Sequence, residues 1–322
     1  MEKRVSVVMC TYNGEKYLKE QIESILNQTY PVYEIIIQDD CSIDHTMDIL
    51  QKYEKEYTCI HAFRNEKQKG ISENFFSALD RANGDYIALS DQDDIWEINK
   101  IERQISYADD YMLVACVSKP FATDDEIKVI FDERERNTHL EREIYLNSIP
   151  GHTMLFKKSL IDKIPDATYR NKHFMYDYLI ALVAAANQSI YVIPQILVNH
   201  RRLLHSATYS VPDNYKKTLP NIFRFTVRTF VRYCKLHSKM RIYFSRLYRL
   251  LEAIDAPLEA KKNAMALARY HSQNSLTGYI GLTILCVRLR KILFYAEEKN
   301  AVLSILRAIY FPISCSEYFI FL

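Results

Sequence analysis

Four consecutive positions, Asp91-Gln92-Asp93-Asp94, put three carboxylates within one short stretch of chain. Carboxylates this close repel one another unless a proton or a cation relieves them. Mg²⁺ and Mn²⁺ suit such oxygens, and they characteristically bind one or two carboxylates together with the phosphates of a substrate. Two aspartates separated by one residue also arise by chance roughly once in a chain of this size, and alone they read as a turn or a helix cap. The surroundings change that reading. The run directly follows the apolar Tyr86-Ile87-Ala88-Leu89-Ser90 and precedes Ile95-Trp96, so its carboxylates stand on a rigid edge, where a cation-bound nucleotide diphosphate is the natural partner.

The elements that would position them are legible in the first hundred residues. Val5-Ser6-Val7-Val8-Met9-Cys10 is a β-rich run ended by Thr11-Tyr12-Asn13-Gly14. Leu18, Ile22, Ile25 and Leu26 then follow helical spacing until Thr29-Tyr30-Pro31. A second strand, 33–38, runs into Asp39-Asp40-Cys41-Ser42. A helix follows, with Ser42 or Asp44 as its cap and Met47, Leu50 and Tyr53 inward. His61-Ala62-Phe63 reads as a short strand, 72–82 as a helix closed near Gly84, and 86–90 as a buried strand. Alternating strands and helices with near-continuous apolar strands predict an α/β fold whose mostly parallel sheet is covered on both faces. Ligands of such sheets sit beyond the carboxyl ends of the strands. Three polar clusters, at 11–13, 39–40 and 91–94, therefore point at one crevice.

Farther on, 112–117 and 128–131 read as strands, the charged 132–142 as an exposed loop, and 151–156 as a strand. An Ala-rich helix over 178–186 and a strand over 189–193 complete this part. Beyond Pro212 the β signals vanish, and 219–251 carries apolar residues among many Arg and Lys, as amphipathic helices do. The expected division is a catalytic domain over 1–210 and a smaller basic helical region over 211–322.

The net charge of +2 hides an asymmetry: from Asp213 onward 18 Lys and Arg stand against 7 Asp and Glu. A solvated helical face is one use of such a region. Nucleic-acid binding is not expected, because no recognised module accompanies the charge. The anionic inner surface of a membrane is a third, at about 1 kcal/mol per nearby basic residue. The apolar 279–287 is too short to span a bilayer, and Arg307, Pro312 and Glu317 interrupt the last apolar stretch. A helix lying in the interface is the expected form. Seven scattered cysteines without a C-x-x-C pair indicate neither a disulfide framework nor a zinc site. The N-terminus has no signal-peptide core, so a cytoplasmic protein, peripheral at the inner face of the cell membrane, is expected.

The ordered blocks 5–14, 24–31, 34–42, Lys69-Gly70-Ile71-Ser72-Glu73-Asn74-Phe75, 82–90 and Asp91 to Asp94 resemble family 2 glycosyltransferases of the GT-A fold. The likeness is dense over 4–100 and traceable to about 205. Its D-Q-D-D-x-W form is similar to the branch containing bacterial rhamnosyltransferases for surface polysaccharides. The resemblance implies an inverting enzyme that moves a sugar from a dTDP- or UDP-sugar, dTDP-rhamnose among them, to a glycan or polyprenyl-linked glycan acceptor.

It also implies roles. Thr11 and Tyr12 would line the base pocket, and Asp40 would accept the pyrimidine N3–H. Gly70 would let backbone approach the donor, with Asn74 on the following helix. Asp91 would contact the ribose or sugar and share with Asp93 the binding of Mg²⁺ or Mn²⁺; Asp94 would lie behind them. Asp177, in His173-Phe174-Met175-Tyr176-Asp177-Tyr178, matches the family's catalytic base, although one acidic residue stands where relatives often have two. His152 reads equally well as a polar strand residue. Near 199–206 relatives carry an aromatic, an Arg and a His that closes over the diphosphate. Leu203 occupies the His position, leaving His205 or Arg201 to serve.

Other enzymes lack their signatures here. A sugar-phosphate nucleotidyltransferase needs a Gly-rich, Arg-containing loop after the first strand, a dehydrogenase needs G-x-G-x-x-G there, and a processive synthase needs spanning helices and Q-x-x-R-W. A degenerate sugar-nucleotide-binding scaffold is the non-enzyme alternative, against which Asp40, Asp91, Asp93 and Asp177 all stand.

Overall fold

A computed structural model of the chain describes residues 3–124, 126–165, 173–204, 219–294 and 300–319. The chain forms two compact units: Met1–Glu133, Ile149–Ala184 and Ser189–Pro212 make the first, and Arg134–Ser148, Ala185–Gln188 and Asp213–Leu322 the second. Residues 205–218, which contain the division expected between 210 and 211, lie outside the described residues.

The first unit is built on an eight-stranded mixed sheet. Its strands are β1 (Val5–Thr11), β2 (Glu34–Asp39), β3 (Ile60–Arg64), β4 (Tyr86–Ser90), β5 (Ile95–Trp96), β6 (Leu113–Phe121), β7 (Leu155–Lys157) and β8 (Ile190–Arg201), in the spatial order β3-β2-β1-β4-β7-β6-β8-β5. The β3-β2-β1-β4 half is parallel throughout. Val5, Val7, Val8 and Met9 of β1 and Ile35 and Ile37 of β2 are wholly buried, as strands covered on both faces must be. Leu18, Ile22 and Ile25 of the helix Leu18–Leu26 complete the core there. Register sets the site: Thr11 stands opposite Asp39 and Met9 opposite Ser90. The turns leaving β1, β2 and β4 therefore emerge at one edge.

Beyond β4 the sheet departs from a simple parallel order. β7 runs antiparallel between β4 and β6, and β8 lies parallel to β6. The two-residue β5 joins β8 through Ile95 with Asn199 and Trp96 with Val198, a pairing too short for any periodicity to announce. β8 continues past Pro194 to Arg201, where the sequence reading ends it at 193. Register shifts around Val117 on β6 absorb the missing proline N–H, as a bulge does. Residues 128–131 form no strand, and Gly151–Thr153 is a 3-10 turn leading into β7.

The second unit is helical: Leu219–Ala253, Leu258–Ser272, Leu276–Arg288 and Ala301–Ser314 are its long elements. Phe244, Leu247, Leu250, Leu267 and Cys286 are fully buried within it. The charged segment read as an exposed loop contributes the short helix Leu140–Glu143, whose Glu141, Arg142 and Glu143 are all buried. Its partners come from distant helices: Asn263 Nδ2 donates to Glu141 Oε1 at 3.1 Å, and the Arg142 guanidinium lies 4.9 Å from the Tyr318 ring centre. Local charge alone does not reveal such partners. Among the described residues no helix is long and apolar enough to cross a membrane.

Candidate active site

The turn after β1 is locked before any ligand is considered. Thr11 Oγ1 donates to Asp39 Oδ1 at 3.1 Å, and Asp39 also accepts the amide and hydroxyl of Ser42. Asn13 sits at φ 49°, its amide donating to Ser42 Oγ at 2.8 Å. The Tyr12 side chain is 45% exposed, but its backbone is held from both sides by Gln92: Tyr12 N donates to Gln92 Oε1 at 2.9 Å, and Gln92 Nε2 donates back to Tyr12 O at 3.2 Å. A Cβ on Gly14 would overlap the Gln92 carboxamide, so a side chain there would push Gln92 away from Tyr12. Sequence reasoning assigned Gln92 nothing. Its only signal was its place between the aspartates.

Asp40 is almost wholly buried and accepts three hydrogen bonds, from Asn65 Nδ2 (2.8 Å), Lys69 N (2.7 Å) and Gly70 N (2.8 Å). Two carboxylate oxygens offer about four acceptor sites, so room for one more donor remains. Gly70 adopts φ 83°, which favours glycine, and a Cβ there would meet open space. Asn74 is buried and fully engaged, donating to Gln38 O at 2.9 Å and accepting from Asn65 Nδ2 at 2.8 Å. Asn65 thus ties Asp40 to Asn74. The sequence reading passed over it.

The acidic run meets two histidines that the sequence left without a role. His152 Nδ1 lies 3.3 Å from Asp91 Oδ2, and His200 Nδ1 lies 2.9 Å from Asp94 Oδ1. The two imidazoles stack at 4.3 Å with their planes 7° apart. One ligand atom from each of Asp91, Asp94, His152 and His200 can be chosen so that all lie within 4.8 Å of one another; Asp93 is not one of the four. Burial works to raise Asp91, but the hydrogen bond and charge of His152 and the charge of His200 hold it below its ordinary value. Burial likewise opposes a charge on His152, yet Asp94 and Asp91 raise it. Asp93 is pushed up to about 7 by burial and then by the charges of Asp91 and Asp94.

Asp94 is fully buried, and its Oδ1 also accepts the Arg201 amide at 3.0 Å. Asp94 Oδ2 and His152 Nε2 are buried with no hydrogen-bond partner among the described residues. Orphaned buried atoms each cost roughly 1–3 kcal/mol, which a ligand there would relieve. Oxygen and nitrogen donors around such atoms fit a divalent cation. Lys100, fully buried 3.7 Å from the Trp96 ring centre, is pushed down to about 8 by burial, with Cys116 and Asp94 opposing.

Asp177 lies in the first turn of the helix Tyr176–Ala186. The preceding Tyr176 stacks on Phe75 at 3.9 Å and 12°, and its amide donates to Ser72 Oγ at 3.1 Å. A Cβ on Gly151 would meet the Tyr176 hydroxyl at 2.6 Å, so Gly151 admits the ring. Asp177 itself is half-buried and accepts the Tyr178 amide at 2.8 Å. Burial pushes its carboxyl up to about 6; the Tyr178 and Gly151 amides and His152 oppose this, and the Asp91 charge adds to it. The structure therefore brings Asp177 into the electrostatic reach of the acidic run.

Arg201 is 3% exposed. Its guanidinium pairs with Glu20 and donates to Asp93 O at 2.9 Å, between the rings of Tyr17 and Phe121 at 4.3 and 4.6 Å. That pattern anchors β8 to the acidic run. His205, the other residue expected near the diphosphate, lies outside the described residues.

Known proteins resemble this chain in sequence and in fold. The chain is 29% identical over 200 residues to the dTDP-rhamnosyl transferase RfbG of Shigella flexneri, covering 57% of this chain and 68% of that one. It is 40% identical over 102 residues to the UDP-Glc:alpha-D-GlcNAc-diphosphoundecaprenol beta-1,3-glucosyltransferase WfgD of Escherichia coli, covering 32% and 40%. The matches span under half the length of several other bacterial relatives. In fold it is similar to S. aureus TarS in complex with UDP-GlcNAc, with a TM-score of 0.60 and 16% identity over 98% of this chain and 91% of that chain. The family model for glycosyl transferase family 2 matches residues 6–169, the stretch that carries β1 to β4, the acidic run and His152. On that match the chain belongs to glycosyl transferase family 2.

Proposed function

We propose that the chain is an inverting, metal-dependent glycosyltransferase, with 1–210 as its catalytic domain and 211–322 as a basic accessory region. Its donor is a dTDP- or UDP-sugar, with dTDP-rhamnose first to test, and its acceptor is a glycan or polyprenyl-linked glycan of a surface polysaccharide. The names of RfbG and WfgD support the donor classes, and WfgD's supports a lipid-linked acceptor. The observation that carries the reading is Asp177, a carboxylate with its proton affinity raised to about 6, beside an acidic run at the carboxyl end of β4.

In this reading Thr11, Tyr12, Asp40, Gly70 and Asn74 shape the nucleotide pocket, and Asp91 and Asp93 hold Mg²⁺ or Mn²⁺. Such an ion, when bound, offsets the negative charge that grows on the departing diphosphate. Asp177 takes the proton of the acceptor hydroxyl as that oxygen bonds to the anomeric carbon. The bond from that carbon to the diphosphate breaks on the opposite face, inverting the configuration. The basic 211–322 region suits the anionic inner face of a membrane, where a lipid-linked acceptor would lie.

A donor screen tests this: dTDP- and UDP-sugars with Mg²⁺ or Mn²⁺ and a membrane extract as acceptor source, reading released nucleoside diphosphate. Sugar transfer from one donor, lost in Asp93→Ala and in Asp177→Ala, is expected. Only the first substitution should abolish metal-dependent donor binding. Full transfer by Asp177→Ala overturns the base assignment, and binding without turnover of any donor leaves a scaffold instead.

A further inference from the structure

We infer that Ser72 is a positioning residue for sugar transfer: its hydroxyl fixes the turn that carries Asp177, from a helix that also serves the nucleotide side through Asp40. Its part in transfer rests on Asp177 being the base proposed above.

The first amides of a helix find no carbonyl within it, and the preceding residue normally supplies an oxygen from Ser, Thr, Asp or Asn. In the helix Tyr176–Ala186 the first carbonyl to accept is that of Met175, from Leu179 N at 3.0 Å. Met175 therefore holds the cap position, and its side chain has no oxygen to offer. Ser72 supplies one from 104 residues away: Tyr176 N donates to Ser72 Oγ at 3.1 Å, and the Ser72 hydroxyl donates in turn to Met175 Sδ at 3.6 Å. One hydroxyl thus holds both residues that precede Asp177.

Ser72 belongs to the helix Ile71–Leu79. Three residues on, and so on the same helix face, Phe75 stacks on the Tyr176 ring at 3.9 Å and 12°. Both rings are buried, so the base's helix starts against a packed surface, and Ser72 adds the one polar fixture. The same turn reaches Asp40 by separate bonds. Gly70 N donates to Asp40 Oδ2 at 2.8 Å, and Asn65 Nδ2 joins Asp40 Oδ1 to Asn74 Oδ1, each at 2.8 Å. None of these uses the Ser72 side chain. Its removal frees the start of the base's helix and leaves the partners of Asp40 in place.

A base works only if its carboxylate meets the acceptor hydroxyl in line with the anomeric carbon, and a misplacement of about 1 Å can cost about 100-fold. The test compares Ser72→Ala with Ser72→Thr in the whole chain, using the donor and acceptor source of the screen above. Ser72→Ala should lower kcat about 10–100-fold with donor KM within about twofold of wild type. Ser72→Thr keeps the hydroxyl and should restore most of kcat. Hydrogen exchange over 174–182 needs no turnover: it should quicken about tenfold in Ser72→Ala and stay near wild type in Ser72→Thr. An unchanged kcat in Ser72→Ala, a loss carried by donor KM, or unchanged exchange overturns the inference and leaves the glycosyltransferase reading intact. Full transfer by Asp177→Ala is a different failure, that of the base assignment itself.

Discussion

Gln92 and Tyr12 exchange two hydrogen bonds, at 2.9 and 3.2 Å, between a side-chain amide and a backbone peptide 80 residues away. The turn after β1, expected to hold the base, is thereby fastened to the run expected to hold the diphosphate. Gln92→Ala removes both bonds and leaves the carboxylates in place. The expected effect is a donor KM about thirtyfold higher with a smaller change in kcat, taking each bond at ~1 kcal/mol. Steady-state kinetics with a fixed acceptor measures it, and an unchanged KM would break the link.

Asp177 sets a pH dependence. Its carboxyl is pushed up to about 6, and a base works only without its proton. Transfer should therefore fall as pH drops below about 6 and level off above it. Asp177→Asn should lower kcat by about 10²–10⁴-fold and remove that acid limb, which a pH–rate profile between 5 and 8 would read.

Gly151 is the space that Tyr176 fills. In Gly151→Ala the new methyl meets the Tyr176 hydroxyl at 2.6 Å, so the ring has to shift, straining its stack on Phe75 at the start of the Asp177 helix. A stability loss of ~1–3 kcal/mol is expected. The kinetic loss should fall on kcat more than on donor KM. Urea titration and kinetics on the same preparation separate the two effects.

In the helical unit, His271 is stacked on Phe244 at 4.2 Å, with Tyr145 Oη 3.0 Å from its Nε2. Burial pushes this imidazole down to about 3 and the Tyr145 phenol well up, so a neutral phenol donates to a neutral ring. Unfolded, the imidazole takes its proton near 6.5. Between those values the unfolded chain binds more protons, so stability is full above pH 6.5 and declines as pH falls. The slope is up to ~1.4 kcal/mol per pH unit, or ~2 kcal/mol between pH 7 and 5. Urea midpoints at the two pH values should show it, and His271→Asn should flatten it.

Much of this protein is local. β1, β2 and β4 and the polar turns after them were legible because a largely apolar run followed by Thr, Asp or Asn encodes both a buried strand and its exit. Parallel pairing then brings Thr11, Asp40 and Asp91 to one edge, so their shared edge followed from strand order alone. Asp177 was singled out only through family likeness, since one acid at the start of a helix is a common cap; its place in the first turn of a helix is what the structure shows.

Tertiary structure decided the rest. His152 and His200 stand 48 residues apart in sequence, before β7 and in β8, strands that are consecutive in the chain but separated by β6 in the sheet, and only the order β4-β7-β6-β8 stacks them against Asp91 and Asp94. The buried charges of Glu141 and Arg142 read as part of an exposed loop for the same reason. The sequence by itself determined which segments would be buried and where their ends would lie, because hydrophobic pattern acts locally. Which polar atoms would meet at those ends depended on contacts between residues far apart in the chain, and those exist only once the sheet has closed.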